Sequence, residues 1–449
     1  MLALLALSLL AFFPIRPDRV VTPQTVTGIE IANTQSSTDL DLVQQAGAGW
    51  VRIAGVWWPD VEPVEGQRNW AALDWLGQEL LTAQGDNLAV VLVVRGTPGW
   101  AQAIPGTSCG PIRQDKLSAF AEFVSKLVKR YSREPYFLKY YELGNEPDID
   151  PKLVQSDSLW GCWGNDADAY YGGGTYAAML RAVYPQVKQV DPTAQVLVGG
   201  LTLDCDPRPQ GGCPTEQRRR PARFLEGILR AGGGSYFDGI SFHSYDYYDQ
   251  KPGLYSNSNF HSSSVTTGPV SHLKAKYLRQ LLAAYDVGDK YLLNTESAVL
   301  CKVCQDDPGY EWTKAYYAAQ ANVTALADDL RANIWFRLAD WPGTALVGDN
   351  FVQKPAYQAY SVVSMMLDRA TFIRVLTFGD AGEDSVRGYV FQHGGRDVWV
   401  LWSADGQTHQ LSLPAMPHAV INVLGQRVLM QSTQLTLQPP GRLLVYVEW

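Results

Sequence analysis

Two glutamates follow short apolar segments and are the residues of this sequence best suited to acid–base and nucleophilic chemistry. Glu146 lies in YELGNEP (residues 141–147) and Glu296 lies in LLNTES (residues 292–297). Each apolar segment is typical of a buried β-strand. In a barrel of alternating strands and helices, such side chains project from strand ends at one rim. Two carboxyl groups that face each other across a cleft can cleave a glycosidic bond, so we take this pair as the candidate catalytic residues.

The order of apolar segments predicts the fold that would position the pair. Strand patterns occur at residues 25–31, 50–53, 88–94, 137–143, 195–198, 238–243, 290–294 and 333–338. Helical patterns occur at residues 39–46, 70–82, 116–129, 175–190, 221–229, 271–285, 312–327 and 355–367. This alternation predicts a (β/α)8 TIM barrel, in which Glu146 follows the fourth strand and Glu296 the seventh. A doubly wound sheet is the alternative, and the lack of a glycine-rich phosphate loop after the first strand disfavours it.

The sequence changes character after Leu367. Period-two strand patterns then alternate with glycine and proline turns, for example at residues 388–391, 398–402 and 443–447. We therefore predict three parts: an apolar N-terminal segment (1–20), a catalytic barrel (21–368) and an antiparallel β-sandwich (369–449). The sandwich is expected to buttress the barrel, and independent carbohydrate binding is the alternative.

Charge and the N-terminal segment bear on partners and location. A net charge of −8 and a pI near 5.3 argue against nucleic acid or an anionic membrane as the main partner. Residues 1–15 are apolar and resemble the central region of a signal peptide, although no basic residue precedes them. We therefore expect a secreted or cell-surface protein. A short membrane anchor and an ordinary buried segment are the alternatives.

All six cysteines lie in segments predicted to be loops, which favours disulfide bonds and therefore export. Proximity in the sequence pairs Cys205 with Cys213 and Cys301 with Cys304, which leaves Cys109 for Cys162. A redox or zinc motif at residues 301–304 is the competing interpretation. It is disfavoured because no thioredoxin pattern and no second closely spaced cysteine or histidine pair accompanies it. On the predicted strand count, all six follow strands and so lie on the face where barrel active sites form.

Further short motifs surround the candidate strand ends. They are GWVR (49–52), WWPDVEP (57–63), GTPGWA (96–101), GNEP (144–147), ISFHSY (240–245) and NTE (294–296). With these motifs, the region from Thr25 to Leu367 resembles glycoside hydrolase clan A, the retaining (β/α)8 hydrolases. It is most similar to family 39 and next to family 5, because of the Thr-Pro-x-Trp-Ala turn and the C-terminal β-domain. The resemblance implies that Glu146 is the acid/base and Glu296 the nucleophile.

The same resemblance implies roles for four polar residues. Arg52 and Tyr245 occupy the clan positions expected to donate hydrogen bonds to the nucleophile. Asn145 would bind the sugar 2-hydroxyl, and His243 would form the polar wall beneath it. For Arg52 a structural ion pair is the alternative, and for His243 a satisfied core histidine.

Tryptophans supply candidate sugar platforms. Trp335 resembles the platform tryptophan of the eighth strand, but Asp340 follows it at five residues, whereas the family pattern is Trp-x-x-x-Asp. Trp341 is therefore a competitor for this role. Further candidates in loops after the second, third and fourth strands either line the cleft or fill loop cores: Trp57, Trp58, Trp100, Trp160 and Trp163. Their spread around the rim favours an open groove and endo action.

The resulting hypothesis is a secreted retaining glycosidase that cleaves β-linked polysaccharide or oligosaccharide. Exo action, like that of a β-xylosidase or an arabinosidase, is one alternative, and a non-catalytic polysaccharide-binding barrel is another. We expect a carbohydrate substrate, no nucleic acid, no obligate protein partner, no cofactor and no metal, since two carboxyls supply the chemistry. The run Arg218–Arg220 is expected to be a solvated surface, with contact to an acidic sugar as its alternative. Sugar identity, linkage and oligomeric state do not follow from the sequence.

Overall fold

A computed structural model describes residues 21, 23–32, 37–209, 211–214, 221–301, 304, 307–339, 341, 343–377, 380, 382 and 384–449. The apolar N-terminal segment and the run Arg218–Arg220 lie outside the described residues. Among the helices that are described, none combines the length and apolar character that a membrane span requires.

Eight parallel strands form a closed barrel, which confirms the predicted architecture. The strands are β1 (Thr27–Ile31), β2 (Trp50–Trp57), β3 (Ala89–Arg95), β4 (Tyr140–Asn145), β5 (Gln195–Leu201), β6 (Gly239–Tyr248), β9 (Tyr291–Leu300) and β10 (Ala332–Trp335). They follow one another around the barrel in chain order, β10 pairs with β1, and the β5–β6 pairing completes the ring. A doubly wound sheet has two free edges, so closure of the ring excludes that alternative.

Apart from the short α2 (Trp58–Val61), which was not predicted, the helices lie close to their predicted positions. The helices are α1 (Ser37–Gln45), α2 (Trp58–Val61), α3 (Asp74–Gly85), α4 (Leu117–Tyr131), α5 (Gly173–Val190), α6 (Phe224–Arg230), α7 (Ser271–Ala284), α8 (Pro308–Ala327) and α9 (Pro355–Met366). The largest differences are at two helix starts: α3 begins four residues after the predicted residue 70, because residues 70–73 form a 3-10 helix, and α8 begins four residues before the predicted residue 312. Pro308 occupies its first turn and the Asp307 side chain accepts a hydrogen bond from the Gly309 amide, so both signals of a helix start precede the apolar pattern.

Side chains inside the barrel form an apolar plug below and a charged layer above. The plug consists of Trp50, Ala89, Val91, Leu197, Leu293, Ala332 and Ile334, with Val21 beneath them. Two residues further along β2, the buried Arg52 lies beside Glu30 of β1 in the strand register. Because alternate strand residues point to opposite faces, Trp50 and Arg52 both point inward, while Val51 and Ile53 pack outward in the main core.

Disulfides and a hairpin shape the loops above this charged layer. All three predicted disulfides are present, Cys109–Cys162, Cys205–Cys213 and Cys301–Cys304, with Cα–Cα distances of 5.5, 5.0 and 5.9 Å. The first of them ties the loop after β3 to the loop after β4. The hairpin of β7 (Tyr255–Asn257) and β8 (Ser262–Ser263) continues from β6 and was not predicted.

The C-terminal part is a β-sandwich, as predicted. One sheet orders β11 (Thr371–Val375), β12 (Val386–His393), β13 (Arg396–Ser403), β17 (Leu444–Glu448) and β15 (Ala419–Asn422), and β14 (His409–Ser412) pairs with β16 (Gln434–Leu437) in the other. One face of the larger sheet packs on α8 and α9, where Phe391 and Tyr446 meet Tyr316 and Val363. The opposite face packs on the smaller sheet. This contact with two barrel helices is what the predicted buttress role requires.

Candidate active site

Glu146 lies immediately after β4 on a strained turn. Its backbone has a left-handed conformation with φ of 49°, and Gly144 just before it has φ of 93°. The Glu146 amide donates to the carbonyl of Gly200, 2.9 Å away at the end of β5. Positive φ is costly for a residue with a side chain and is often found at functional sites. The turn points the carboxyl group toward the centre of the rim, where it meets His243.

Glu296 lies within β9 and accepts hydrogen bonds from neighbouring strands. Its Oε1 is 2.6 Å from Nη1 of Arg52, and its Oε2 accepts from the hydroxyl of Tyr245. Both donors are those that the sequence analysis assigned to this carboxyl. Arg52 and Tyr245 were expected just at or beyond strand ends, but β2 and β6 extend further than predicted and include them.

His243 connects the two carboxyl groups. Its Nδ1 is 2.9 Å from Oε1 of Glu146 and 3.3 Å from Oε2 of Glu296. One ligating atom from each of these three residues lies within 4.8 Å of the other two. Carboxyl groups at roughly 5–5.5 Å suit a nucleophile and an acid/base, whereas inverting enzymes keep them roughly 6.5–9.5 Å apart. The arrangement therefore places one oxygen atom of each carboxyl close to the other across the cleft.

The imidazole of His243 packs closely against the backbone of Gly200. A Cβ atom added to Gly200 would lie only 2.0 Å from its Nε2, so only glycine leaves room for the ring. Burial lowers the pKa of His243 to about 4, and the ring is therefore neutral near pH 7. A neutral ring carries one N–H, and Nε2 has no hydrogen-bond partner among the described residues. With its proton on Nδ1, the ring can donate a hydrogen bond between the two glutamates.

Arg52 lies beneath the site and is surrounded by carboxylates. The fully buried guanidinium contacts Glu30, Glu142 and Glu296, and its Nη2 donates to Oδ1 of Asn145 at 2.8 Å. One cation thus faces three carboxylates. The arginine holds both Glu296 and Asn145 in place, so the predicted active-site role and the alternative of a structural ion pair describe the same contacts.

The two candidate carboxyls have raised proton affinities. Burial raises the pKa of Glu146 to about 7, against the opposing charges of Arg52 and Lys274. Burial also raises the pKa of Glu296 to about 7, opposed by His243 and Arg52 and reinforced by Glu30 and Glu146. Two such close carboxyls titrate as a pair. The first proton belongs on Glu146, because Glu296 already accepts from Arg52 and Tyr245.

The platform prediction for Trp335 is wrong. The residue is fully buried, and its indole Nε1 donates to the carbonyl of Thr344. Its outward direction follows from strand alternation, and the next residue, Phe336, points into the cleft. The Phe336 ring lies 6.0 Å from that of Tyr245 and 5.5 Å from that of Trp341. The signal was in the sequence, because Asp340 follows Phe336 at the family spacing of four residues.

The other tryptophans divide between cleft and loop core. Trp57 is half-buried and lines a small recess together with Asn145 and Trp160, with the Arg95 guanidinium 5.9 Å from its ring. Trp160 and Trp341 are exposed at 43% and 47%. In contrast, Trp100 packs edge-on against the buried Trp58 and donates to the carbonyl of Glu62, and Trp163 is buried against Tyr176. Trp100 therefore fills a loop core, which was the alternative for these residues.

Sequence reasoning missed the residues that surround the pair from below and behind. They are Glu30, Glu142, Lys274 and Phe336. Glu30 and Glu142 each interrupt an otherwise apolar strand, and an inward-facing charge in a barrel strand needs a partner. That interruption was the available signal. No comparable local signal marks Lys274, because its helix also carries Lys276 and Arg279.

The cluster of Glu146, His243 and Glu296 also has the composition of a metal site, and it is the one such group among the described residues. The guanidinium of Arg52 already contacts Glu296 and supplies positive charge there. A divalent cation next to it would be repelled. The donor set therefore fits acid–base and nucleophilic chemistry better than metal binding.

Comparison with solved structures finds the same fold in known enzymes. A family 39 glycoside hydrolase from the gut symbiont Bacteroides cellulosilyticus WH2 superposes with a TM-score of 0.70 at 20% identity, over 95% of this chain and 81% of that chain. A GH30 endoxylanase from Clostridium papyrosolvens C71 gives 0.62 at 13% identity, over 96% and 97%. A β-xylosidase from Caulobacter crescentus CB15 gives 0.56 at 14% identity, over 96% and 97%.

No protein-family model and no curated protein sequence matches the chain. The structural matches extend over both the barrel and the sandwich, and they confirm at the level of the fold the resemblance drawn from the motifs. The chain thus has the barrel-and-sandwich fold of the family 39 and family 30 glycoside hydrolases.

Proposed function

We propose that this protein is a retaining glycoside hydrolase with Glu146 as acid/base and Glu296 as nucleophile. The observation that carries the proposal is the placement of both carboxyls at the barrel rim, with oxygen atoms within 4.8 Å of each other and His243 between them. A similar fold alone would not support an activity, because one fold hosts many functions. A barrel that only bound polysaccharide would have no use for two buried carboxyls with matched donors.

The contacts assign a step to each residue. Protonated Glu146 gives its proton to the leaving glycosidic oxygen while ionised Glu296 attacks the anomeric carbon. Arg52 and Tyr245 hold one oxygen each of Glu296 and orient the attacking lone pair. Glu146, now a carboxylate, then removes a proton from water while the water oxygen attacks the anomeric carbon and displaces Glu296, so that the sugar leaves with net retention.

Asn145 is placed to bind the sugar that reacts. Its Oδ1 is held by Arg52, which directs the amide nitrogen away from the guanidinium and toward the recess lined by Trp57 and Trp160. An amide N–H can donate to a sugar 2-hydroxyl, a contact that strengthens in the transition state. The amide nitrogen of Asn145 is therefore available to donate the hydrogen bond to the sugar 2-hydroxyl that the predicted role requires.

Endo action on a β-linked polysaccharide is the form of the activity that we propose. The exposed Trp160 and Trp341 lie in loops after the fourth and eighth strands, so aromatic faces are available at separate points of the rim. Exo action, like that of a β-xylosidase or an arabinosidase, remains the second candidate. Similar folds are found in an endoxylanase and in a β-xylosidase, so the fold does not choose between them.

Export is proposed on separate grounds. Three disulfides, two of which close short loops, require an oxidising compartment to form and persist. We therefore expect the protein to act outside the cytoplasm on a polysaccharide present there.

Product stereochemistry and size test the proposal together. A panel of plant and microbial polysaccharides identifies a substrate, and NMR of the earliest product then reads the anomeric configuration. We expect a retained β-anomer and oligosaccharides of several lengths. An inverted first product would remove the nucleophile role of Glu296, and release of monosaccharide alone from the earliest times would replace endo by exo action.

A further inference from the structure

A lysine is buried directly behind the candidate acid/base. Lys274 lies in the first turn of α7 and is 5% exposed. Its ammonium group donates to the carbonyl of Thr202 at 2.6 Å and to the carbonyl of His243 at 2.8 Å. It therefore connects the end of β5 with the residue of β6 that bridges the two catalytic candidates. Buried lysines are rare unless they are paired, so the burial of Lys274 requires an explanation.

Acidic groups from several elements face this ammonium. They are Asp148 in the loop after β4, Asp204 in the loop after β5, Asp246 on β6, and Glu146 itself. Burial raises the pKa of Asp148 to about 6, of Asp204 to about 6 and of Asp246 to about 7. Burial also lowers the pKa of Lys274 to about 8. Several groups of this cluster can therefore change charge near neutral pH.

The aspartates are also structural ties. Asp148 lies two residues after Glu146 and accepts from the amides of Thr202 and Leu203 at 2.9 and 3.0 Å. Asp246 accepts from the amide of Val270 at the start of α7 and from the hydroxyl of Tyr317. The loop after β4, the loop after β5 and the start of α7 are thus joined around one cation. Movement or loss of the Lys274 ammonium would therefore change both the backbone position of Glu146 and the electrostatic potential at its carboxyl group.

We propose that Lys274 is a positioning residue that allows Glu146 to act as a base as well as an acid. Its ammonium balances the aspartates behind Glu146 and holds the His243 carbonyl, so that the Glu146 carboxylate can form in the second half of the reaction. This inference rests on the proposed retaining mechanism. Without the cation, the surrounding acidic groups favour protonated Glu146, which still serves as the acid but removes a proton from water less readily.

The charge is tested with Lys274→Met, which keeps the length of the side chain, and with Lys274→Arg, which keeps the cation. Lys276→Met is the matched control, because Lys276 lies on the same helix and is exposed. For Lys274→Met we expect the alkaline limb of kcat/KM to move to higher pH by at least about half a unit, because a nearby opposite charge is lost. We also expect lower kcat near pH 6 and a burst of aglycone from an activated aryl glycoside, since hydrolysis of the glycosyl-enzyme becomes slow. Lys274→Arg and Lys276→Met should leave the limb in place.

Asp204→Asn supplies the opposite change in case Lys274→Met does not fold. It removes a negative charge from the same cluster with little change in shape, so the alkaline limb should move to lower pH. A merely structural role for Lys274 would lower the melting temperature without moving either limb. An unchanged limb in well-folded Lys274→Met, or a shift of the same sign in both variants, would overturn the proposal.

A measurement without catalysis separates this inference from the proposed function. Carboxyl ¹³C NMR of glutamate-labelled protein, assigned with Glu146→Gln, reports the titration midpoint of Glu146 directly. The midpoint should rise in Lys274→Met and fall in Asp204→Asn even if no glycoside proves to be a substrate. Equal midpoints in the native protein and in Lys274→Met would reject the electrostatic role, whatever the activity is.

Discussion

The two ends of the barrel interior have opposite chemistry although the same strands build both. At the lower end, Trp50, Leu197 and Leu293 form an apolar plug. At the upper end, Arg52 lies among acidic side chains that are just as buried. Trp50 and Arg52 are separated by one residue of β2, so the transition takes place within a single strand. Burial of the plug stabilises the fold, whereas burial of the charged layer carries a desolvation cost.

Removal of either candidate catalytic carboxyl should give the largest effect at the upper end. We expect Glu146→Gln and Glu296→Gln each to lower turnover by about 10³-fold or more, since each removes a reacting group. Melting temperature should remain equal or rise slightly, because a crowded buried carboxyl is removed. Kinetics and calorimetry on the same samples measure both effects. Residual activity above a tenth of the native value in either variant would reject the assignment.

Azide distinguishes the two glutamates from each other. Small-residue variants should both be rescued by this anion. In the Glu296 variant azide replaces the missing nucleophile, and in the Glu146 variant azide attacks the glycosyl-enzyme in place of water and needs no base. The Glu146 variant should yield a β-glycosyl azide and the Glu296 variant an α-glycosyl azide. Products of the same configuration from both variants would contradict the separate roles.

The variants Arg52→Met and Leu197→Ala, measured side by side, compare the charged end of the barrel interior with the apolar end. Loss of the guanidinium leaves buried carboxylates without a partner, and we expect a destabilisation of about 3–5 kcal/mol together with loss of activity. Leu197→Ala should cost about 2–5 kcal/mol through a cavity in the plug but leave kcat per folded molecule near the native value. Denaturant unfolding and active-site titration provide the two readouts. Equal loss of kcat in both variants would remove the functional distinction between the two ends.

Trp341→Ala should have a smaller effect that depends on substrate length. Loss of one exposed aromatic face should raise KM for a long polysaccharide by roughly 3- to 10-fold, which corresponds to the free energy of one aromatic stacking contact. A short aryl glycoside that reaches only the catalytic pair should keep its native kinetics and serves as the internal control. Equal effects on both substrates would argue against an extended groove.

A last expected effect is a slope of stability against pH. The pKa of Glu146 and of Glu296 is raised to about 7 in the folded state. Their protonated forms therefore stabilise the fold below the unfolded value of about 4.3, and this contribution is lost as pH rises through about 7. His243, with its pKa lowered to about 4, gives the opposite slope between about pH 4 and 6.5. The contribution of Glu146 is measured by comparing the melting temperatures of the native protein and of Glu146→Gln between pH 4.5 and 7.5. The native protein should lose more stability over this range.

Local patterns predicted the eight barrel strands and the two glutamates that the fold brings together. Each of the eight barrel strands overlaps its predicted segment, since a continuous apolar run bounded by polar residues is a strong signal for a strand covered on both faces. Proximity alone paired the cysteines correctly. The signal was weaker where a strand continues with polar residues, as in β6 beyond His243, and the hairpin of β7 and β8 that follows was missed for this reason.

The sequence by itself determined which residues could do chemistry and which strand ends carry them, because residue type and the alternation of strand and helix are local properties. Only the tertiary structure decided that Phe336 rather than Trp335 faces the cleft, since one step along a strand reverses the direction of a side chain. It also decided that Glu30, Glu142 and Lys274 surround the site. Glu142 lies four residues before Glu146 on β4, whereas Glu30 on β1 and Lys274 on α7 reach the site only because closure of the barrel brings different elements together.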